Sequence, residues 1–277
     1  MSKPILYTFG SSVWAAVPEL AIQELGYAPG SIGTKTINLV EGENFDPTFI
    51  TKNPHATLPT LEVSPSEIYT STAEVTAYLI SHAPVKVKKG DPVFIKKIHE
   101  EQYDPNFAVL LARDADELNA KRGGFPYKFL ANRQKVLLAR IEEPASTPFK
   151  SFFESKLAGN GGLLAIYEGK VPNEVLEGFF DKSQAHFKSV GWFIYNFLPD
   201  IVPQTGFLGG DTPGEDDYHL CAWLTRIAGT VGATGPNDMP DVLSKSFGKP
   251  LPSHLKSYIS GWTSRASWKK VYETKLH

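Results

Sequence analysis

Asn53 to Leu79 reads NPHATLPTLEVSPSEIYTSTAEVTAYL: a loop, a strand begun at Leu58-Pro59, a tight turn at Ser64-Pro65, a second strand, and a helix opened by Ser71-Thr72. Proline is tolerated at the first residue of a strand, where the pairing N–H it lacks is not needed. The residue before it can then offer its own N–H and C=O to an extended peptide. A helix opening at Ser71-Thr72 leaves N–H groups unpaired and carries partial positive charge at that end. A docking edge for peptide backbone beside an anion-binding helix terminus is what the capture of a small acidic peptide requires. Taken singly, the proline is an ordinary strand start and the Ser-Thr pair an ordinary N-cap. Their conjunction, at these offsets, is what carries information.

Upstream, Ile5–Phe9 is a short apolar strand ended by Gly10-Ser11-Ser12, and Val13–Leu25 reads as a helix closed by Gly26. Pro18 falls in the second turn of that helix, where it costs stability or imposes a kink. Thr34–Leu39 is a second strand, and Glu41–Lys52 is polar and turn-rich. With strands over 58–63 and 66–70 and a helix over Thr72–Ser81, the order is βαβ, loop, ββα. That order predicts an α/β thioredoxin-like domain over 1–82 with a mixed four-stranded sheet. HAPVKVKKG at 82–90 has linker composition, and residues 83–91 are assigned as the linker. From 92 to 277 the periodicity is helical, giving an all-α C-terminal domain. Helices are expected over 92–102, 105–120, 127–143, 147–158, 172–198, 215–229, 253–260 and 265–273. Trp192, Phe193, Tyr195, Phe197 and Leu198 crowd the end of the longest helix, a density that suits bundle core better than a ligand box.

The chain has 277 residues, 42% of them hydrophobic and 21% charged, an ordinary globular balance with enough apolar material for a large core. Net charge is −2 with no basic stripe, so nucleic acid is not an expected partner. MSKPILYTFG has no charged lead followed by a long apolar run, and no run approaches the length of a membrane span, so neither secretion nor membrane spanning is expected. The single cysteine, Cys221, can make neither an internal disulfide nor a zinc site. It falls among Leu220, Trp223, Leu224 and Ile227 at helical spacing, which predicts a buried, inert thiol. No metal is expected, and a cytoplasmic, reducing location fits.

Asn53-Pro54, Leu58-Pro59-Thr60-Leu61, the Ser71-Thr72 pair and Tyr78-Leu79 resemble, at matching offsets, the glutathione transferase pattern. An all-α domain after a thioredoxin-like one extends the resemblance over nearly the whole chain. LGGDTPGEDDYHLCAWLTRI is similar to the buried-helix start of that superfamily, with Asp217 at its acidic position and Gly214 at the cap. Overall the chain resembles fungal transferase-like sequences and, more distantly, bacterial glutathione-dependent β-etherases, whose first strand runs LYSFG where this chain has LYTFG. The stretch from Lys121 to Gly162 is longer than in compact members.

The resemblance implies a glutathione transferase, of detoxification type, that activates the glutathione thiol for attack on a hydrophobic electrophile, aryl ether cleavage being one form. It implies glutathione as co-substrate, a helical domain lining the hydrophobic substrate site, and a homodimer. Leu58 and Pro59 would dock the peptide, Ser71 and Thr72 its γ-glutamyl end, and Lys52 and His55 its glycyl carboxylate. Thiol activation needs a hydroxyl on sulfur: each pKa unit below about 8.5 requires about 1.4 kcal/mol of preference for the anion. A charge-assisted hydrogen bond of roughly 1.5–3 kcal/mol can provide one or two such units. Three hydroxyls compete for that role. Ser12 fits the serine-type position, although Val17 stands where arginine is usual; Ser11 is one residue away; Tyr7 lies near the tyrosine-type position. Both serines could instead merely cap the helix. At the cap pair Ser71 replaces the usual acid and brings no negative charge of its own. These departures support an alternative, a non-catalytic transferase-like protein that binds hydrophobic ligands.

Overall fold

The computed structural model describes residues 3–277. Its strands are β1 (Ile5–Thr8), β2 (Gly33–Thr36), β3 (Thr60–Ser64) and β4 (Glu67–Tyr69). The helices up to the middle of the chain are α1 (Val13–Glu24), α2 (Pro47–Lys52), α3 (Thr72–Ser81), α4 (Pro92–Ile98), α5 (Pro105–Leu110), α6 (Ala115–Arg122) and α7 (Phe125–Ile141). They are followed by α8 (Lys150–Tyr167), α9 (Asn173–Trp192), α10 (Leu198–Ile201), α11 (Glu215–Thr230), α12 (Met239–Ser246), α13 (Ser253–Ser264) and α14 (Ala266–Val271). The α/β fold with a four-stranded mixed sheet followed by helices is the one expected from the sequence.

The chain packs as two compact units. The first comprises residues 1–35, 58–108 and 186–277, and the second residues 36–57 and 109–185. In the first unit the strand order is β2-β1-β3-β4, with β1 antiparallel to β3 and β3 antiparallel to β4. Leu6 pairs with Leu61 in register, and both are fully buried beneath Val13, Val17 and Leu20 of α1 and Val75 and Leu79 of α3. Burying each such side chain contributes about 1.5–3 kcal/mol. The other face of α1 packs on α11, a helix buried along nearly its whole length. Trp223 at the centre of α11 is fully buried and its indole N–H donates to the Tyr103 carbonyl at 2.7 Å. Cys221 is buried on the same helix and burial pushes its thiol pKa well up.

α11 also fixes the stretch read as a linker. The Asp217 carboxylate accepts the N–H groups of Leu208, Gly209 and Gly214 at 2.7–2.8 Å and the Tyr258 hydroxyl at 2.9 Å. Glu215 accepts from the Gly90 N–H at 2.8 Å, and Asp216 from the Asp91 N–H at 3.0 Å. Three acids in the first turn of a helix suit its partial positive charge, and here each also holds backbone, Glu215 and Asp216 at Gly90-Asp91 and Asp217 at Leu208–Gly214.

In the second unit α7 packs against α8, with Leu130, Ile166, Tyr167 and Phe179 in one cluster and Phe45, Ile50, Leu137 and Phe153 in another. Several sequence expectations are corrected. The second strand stops at Thr36, before Leu39, because the Asn38 side chain accepts the N–H of Val40 and of Glu41 and turns the backbone. The segment 41–52 is not merely turn-rich: Asp46 caps α2, with Pro47 at its first position. The helix expected over 105–120 is two, α5 and α6. α8 runs on through Gly159-Asn160-Gly161-Gly162, where Asn160 is anchored by its amide donating to the Leu130 carbonyl at 2.9 Å and to Gln134 at 2.8 Å. In the first unit the helix expected over 172–198 is interrupted by a π-helical turn at Phe193–Phe197. Pro199 has no N–H for the Tyr195 carbonyl, and the wider turn seats Phe193 against Tyr103 and Trp223 at 4.7 and 5.0 Å. α12 was not expected, because Gly-Pro-Asn-Asp-Met-Pro reads as loop.

Candidate functional site

Sheet register gathers three of the sequence-predicted features at one end of the sheet. β1 runs antiparallel to β3, so the Gly10-Ser11-Ser12 turn after β1 and the Leu58-Pro59 pair before β3 share that end. β4, antiparallel to β3 in turn, delivers Ser71-Thr72 there too. The Leu58-Pro59 peptide bond is cis. Leu58 stands ahead of the ladder, and its N–H and C=O are not engaged by it.

Ser12 is the N-cap of α1. Its N–H donates to the Phe9 carbonyl at 2.8 Å, and its Oγ accepts from the Ala15 N–H at a long 3.4 Å. The hydroxyl proton of Ser12 has no acceptor among the described residues. Ser11 is also half-buried, and its carbonyl accepts a 2.6 Å hydrogen bond from Nη2 of Arg226. Tyr7 is differently placed: its hydroxyl donates to Glu62 at 2.6 Å. Burial and that carboxylate push its pKa up to about 12. Val17, at the position where an arginine is usual, is fully buried core.

Arg226 is the residue that sequence reasoning missed. It comes from α11, 215 residues beyond the turn it holds, and its Nε is buried without a partner. Burial lowers its pKa, opposed by Tyr272 and Asp104. No local signal marked it; only packing of α1 on α11 brings it there. Beside it Trp14 lies over His99 with ring centroids 3.9 Å apart, and His99 Nε2 meets His219 Nδ1 at 2.9 Å. Burial lowers the pKa of both histidines, that of His99 to about 4. The pair is therefore neutral at pH 7, and the charge bonded to this turn is that of Arg226.

At the other helix start, Ser71 and Glu74 form a capping box. Ser71 Oγ accepts from the Glu74 N–H at 3.2 Å, while the Glu74 carboxylate accepts from the Ser71 hydroxyl at 2.8 Å and from the Ser71 N–H at 3.2 Å. A negative charge is thus present at Ser71 although that residue is not acidic. The signal was legible: S-x-x-E ahead of an apolar run is the sequence form of this cap. Thr72 is buried, and its carbonyl accepts from the Thr76 hydroxyl at 2.8 Å.

Lys52 and His55 belong to the second unit. Lys52 is the last residue of α2, and His55 lies in a loop where its N–H donates to Asn53 Oδ1 at 2.9 Å. Among the described residues no helix is long and apolar enough to cross a membrane.

Residues 6–89 match the family model of the glutathione S-transferase N-terminal domain. No curated protein sequence matches the chain. Among solved structures it is similar to the beta-etherase LigF from Sphingobium sp. strain SYK-6, at 15% identity over 98% of this chain and 99% of that one, with a TM-score of 0.60. It is also similar to glutathione transferase Omega 2C from Trametes versicolor, at 15% identity over 99% and 95%, with a TM-score of 0.51. Gtt2 from Saccharomyces cerevisiae shares 16% identity over 96% and 99%, with a TM-score of 0.50. At such identities the likeness is one of fold. The family match covers the strands, the first-helix turn and the Ser71 cap described above, so residues 6–89 form a glutathione S-transferase N-terminal domain.

Proposed function

We propose that the chain is a glutathione transferase in which Ser12 stabilises the glutathione thiolate. The observation that carries this is the Ser12 hydroxyl. It caps the first helix at a weak 3.4 Å, keeps its proton uncommitted, and sits at the sheet end shared with Leu58-Pro59 and Ser71-Thr72. Ser11 is the second candidate, and Tyr7, whose proton goes to Glu62, the third. In this reading Leu58 pairs with the cysteinyl backbone, and Ser71 and Thr72 receive the γ-glutamyl carboxylate at the start of α3. The Glu74 carboxylate beside Ser71 supplies a negative charge for the tripeptide's amino group. Residues 1–82 hold glutathione, 83–91 link, and helices of 92–277 line the hydrophobic site.

The thiol proton leaves to solvent with help from Ser12 and the α1 N-terminus. The thiolate then forms a C–S bond to an electrophilic carbon, and the group displaced departs with the bonding electron pair. When that group is an aryloxide, the same step cleaves an aryl ether.

The test is Ser12→Ala. The pH–rate profile of conjugation shifts to higher pH and turnover falls by roughly ten- to a hundredfold, with glutathione affinity changed much less, because the hydrogen bond matters chiefly to the anion. Intact turnover in Ser12→Ala with loss in Ser11→Ala or Tyr7→Phe transfers the role to that residue. Absence of any glutathione-dependent rate in the unmodified protein, over a broad panel of electrophiles, favours a ligand-binding protein instead.

A further inference from the structure

In the second unit α7 carries Phe125, Phe129 and Arg133 at four-residue spacing, and α8 carries Phe152 and Lys156 in the same way. Residues so spaced lie on one face of a helix. The Arg133 guanidinium stands 4.6 Å from the ring centre of Phe45 and 5.7 Å from that of Phe129. Lys156 Nζ stands 5.3 Å from the ring centre of Phe152, and the Phe45 and Phe152 rings are 6.3 Å apart. Phe125, 49% exposed, stacks on Phe129 and continues the aromatic surface outward.

Neither cation makes a hydrogen bond or an ion pair with any described residue. Other arginines of the unit are answered: Arg140 meets Asp46 at 3.2 Å and Glu143 at 2.9 Å, and Arg113 pairs with Glu117. Burial pushes the Arg133 guanidinium down to about 10, and burial together with the Arg133 charge lowers Lys156. Two like charges, both part-buried over aromatic rings and with no carboxylate partner among the described residues, form an arrangement that a bound counter-charge would complete. Arginine presents a planar fork that matches a carboxylate.

We propose that Arg133 and Lys156 bind the carboxylate of an aromatic acid whose ring rests against Phe129 and Phe152. The binding site stands on these side chains of the second unit alone.

Calorimetric titration of the full chain with biphenyl-4-carboxylate and with neutral biphenyl-4-methanol tests it. The acid binds at least tenfold more tightly than the alcohol, Arg133→Gln and Lys156→Gln each remove most of that preference, and Arg133→Lys keeps part of it. Equal binding of acid and alcohol, or a preference that survives both glutamine substitutions, overturns the proposal. So does a loss confined to glutathione binding, which would mean that the two cations serve the tripeptide's carboxylate. If Arg133→Gln does not fold, as judged by circular dichroism, Lys156→Gln carries the measurement. Binding of the acid without any glutathione-dependent turnover retains the site and removes only the transferase reading.

Discussion

Arg226 and Arg133 are both arginines withdrawn from water, one in each unit, and they differ in what answers them. Arg226 donates to the Ser11 carbonyl on the turn that starts the first helix. Arg133 faces two aromatic rings and no acceptor among the described residues. At the start of α11 three carboxylates are satisfied by fixed backbone and side-chain donors; on α7 and α8 a pair of charges is left for something outside the chain.

The sharpest way to break this contrast is Asp217→Ala. Three backbone N–H groups and the Tyr258 hydroxyl would lose their acceptor. Stability should fall by at least ~3 kcal/mol in urea unfolding; a loss under ~1 kcal/mol would show that water replaces the carboxylate and that the α11 network is not structural.

A paired substitution comes next. Arg226→Met should cost ~1–3 kcal/mol by leaving the Ser11 carbonyl without its donor, whereas Arg133→Met should change stability by under ~1 kcal/mol, since a part-buried guanidinium with no bonded acceptor gives way to an apolar chain of similar length. Equal losses in the two variants would erase the distinction.

The smallest effect is on pH. His99 has a folded pKa of about 4, below its unfolded value of about 6.5. The unfolded chain therefore takes up a proton that the folded one refuses between these values. The stability contributed by neutral His99 is whole above pH ~6.5 and lost as pH falls towards 4. Asp216, raised to about 6, acts with the opposite sign, adding stability as pH falls through that value. Urea midpoints at pH 7 and 5 should thus drop less in His99→Gln than in the unmodified chain; identical drops would place the titration elsewhere.

Much of the sheet end was legible because its signals are local. Leu58-Pro59 before a strand, Gly10-Ser11-Ser12 after one, and Ser71 before a helix are each read within a few residues, and antiparallel pairing then brings them together. α3 fell on its expected residues, Thr72–Ser81, because the capping box fixes its start. What was not legible depends on tertiary contact. Nothing near Arg226 in sequence tells that its guanidinium reaches Ser11, and the run Gly159–Gly162 reads as a break until Asn160 is seen anchored to α7. The π turn is intermediate: Pro199 announced trouble, but the aromatic packing that accommodates it is non-local.

The bond between Arg226 and Ser11 also has a consequence in time. Chains are synthesised at roughly 5–20 residues per second. With the two partners 215 positions apart in the chain, the turn that carries Ser12 waits roughly 10–40 s after its own synthesis before the arginine that holds it exists. The second unit, by contrast, draws all its residues from positions 36–185 and can gather while the first is still missing α11. On the ribosome, then, the Ser11-Ser12 turn is among the earliest parts of the chain to be made and among the last to be locked.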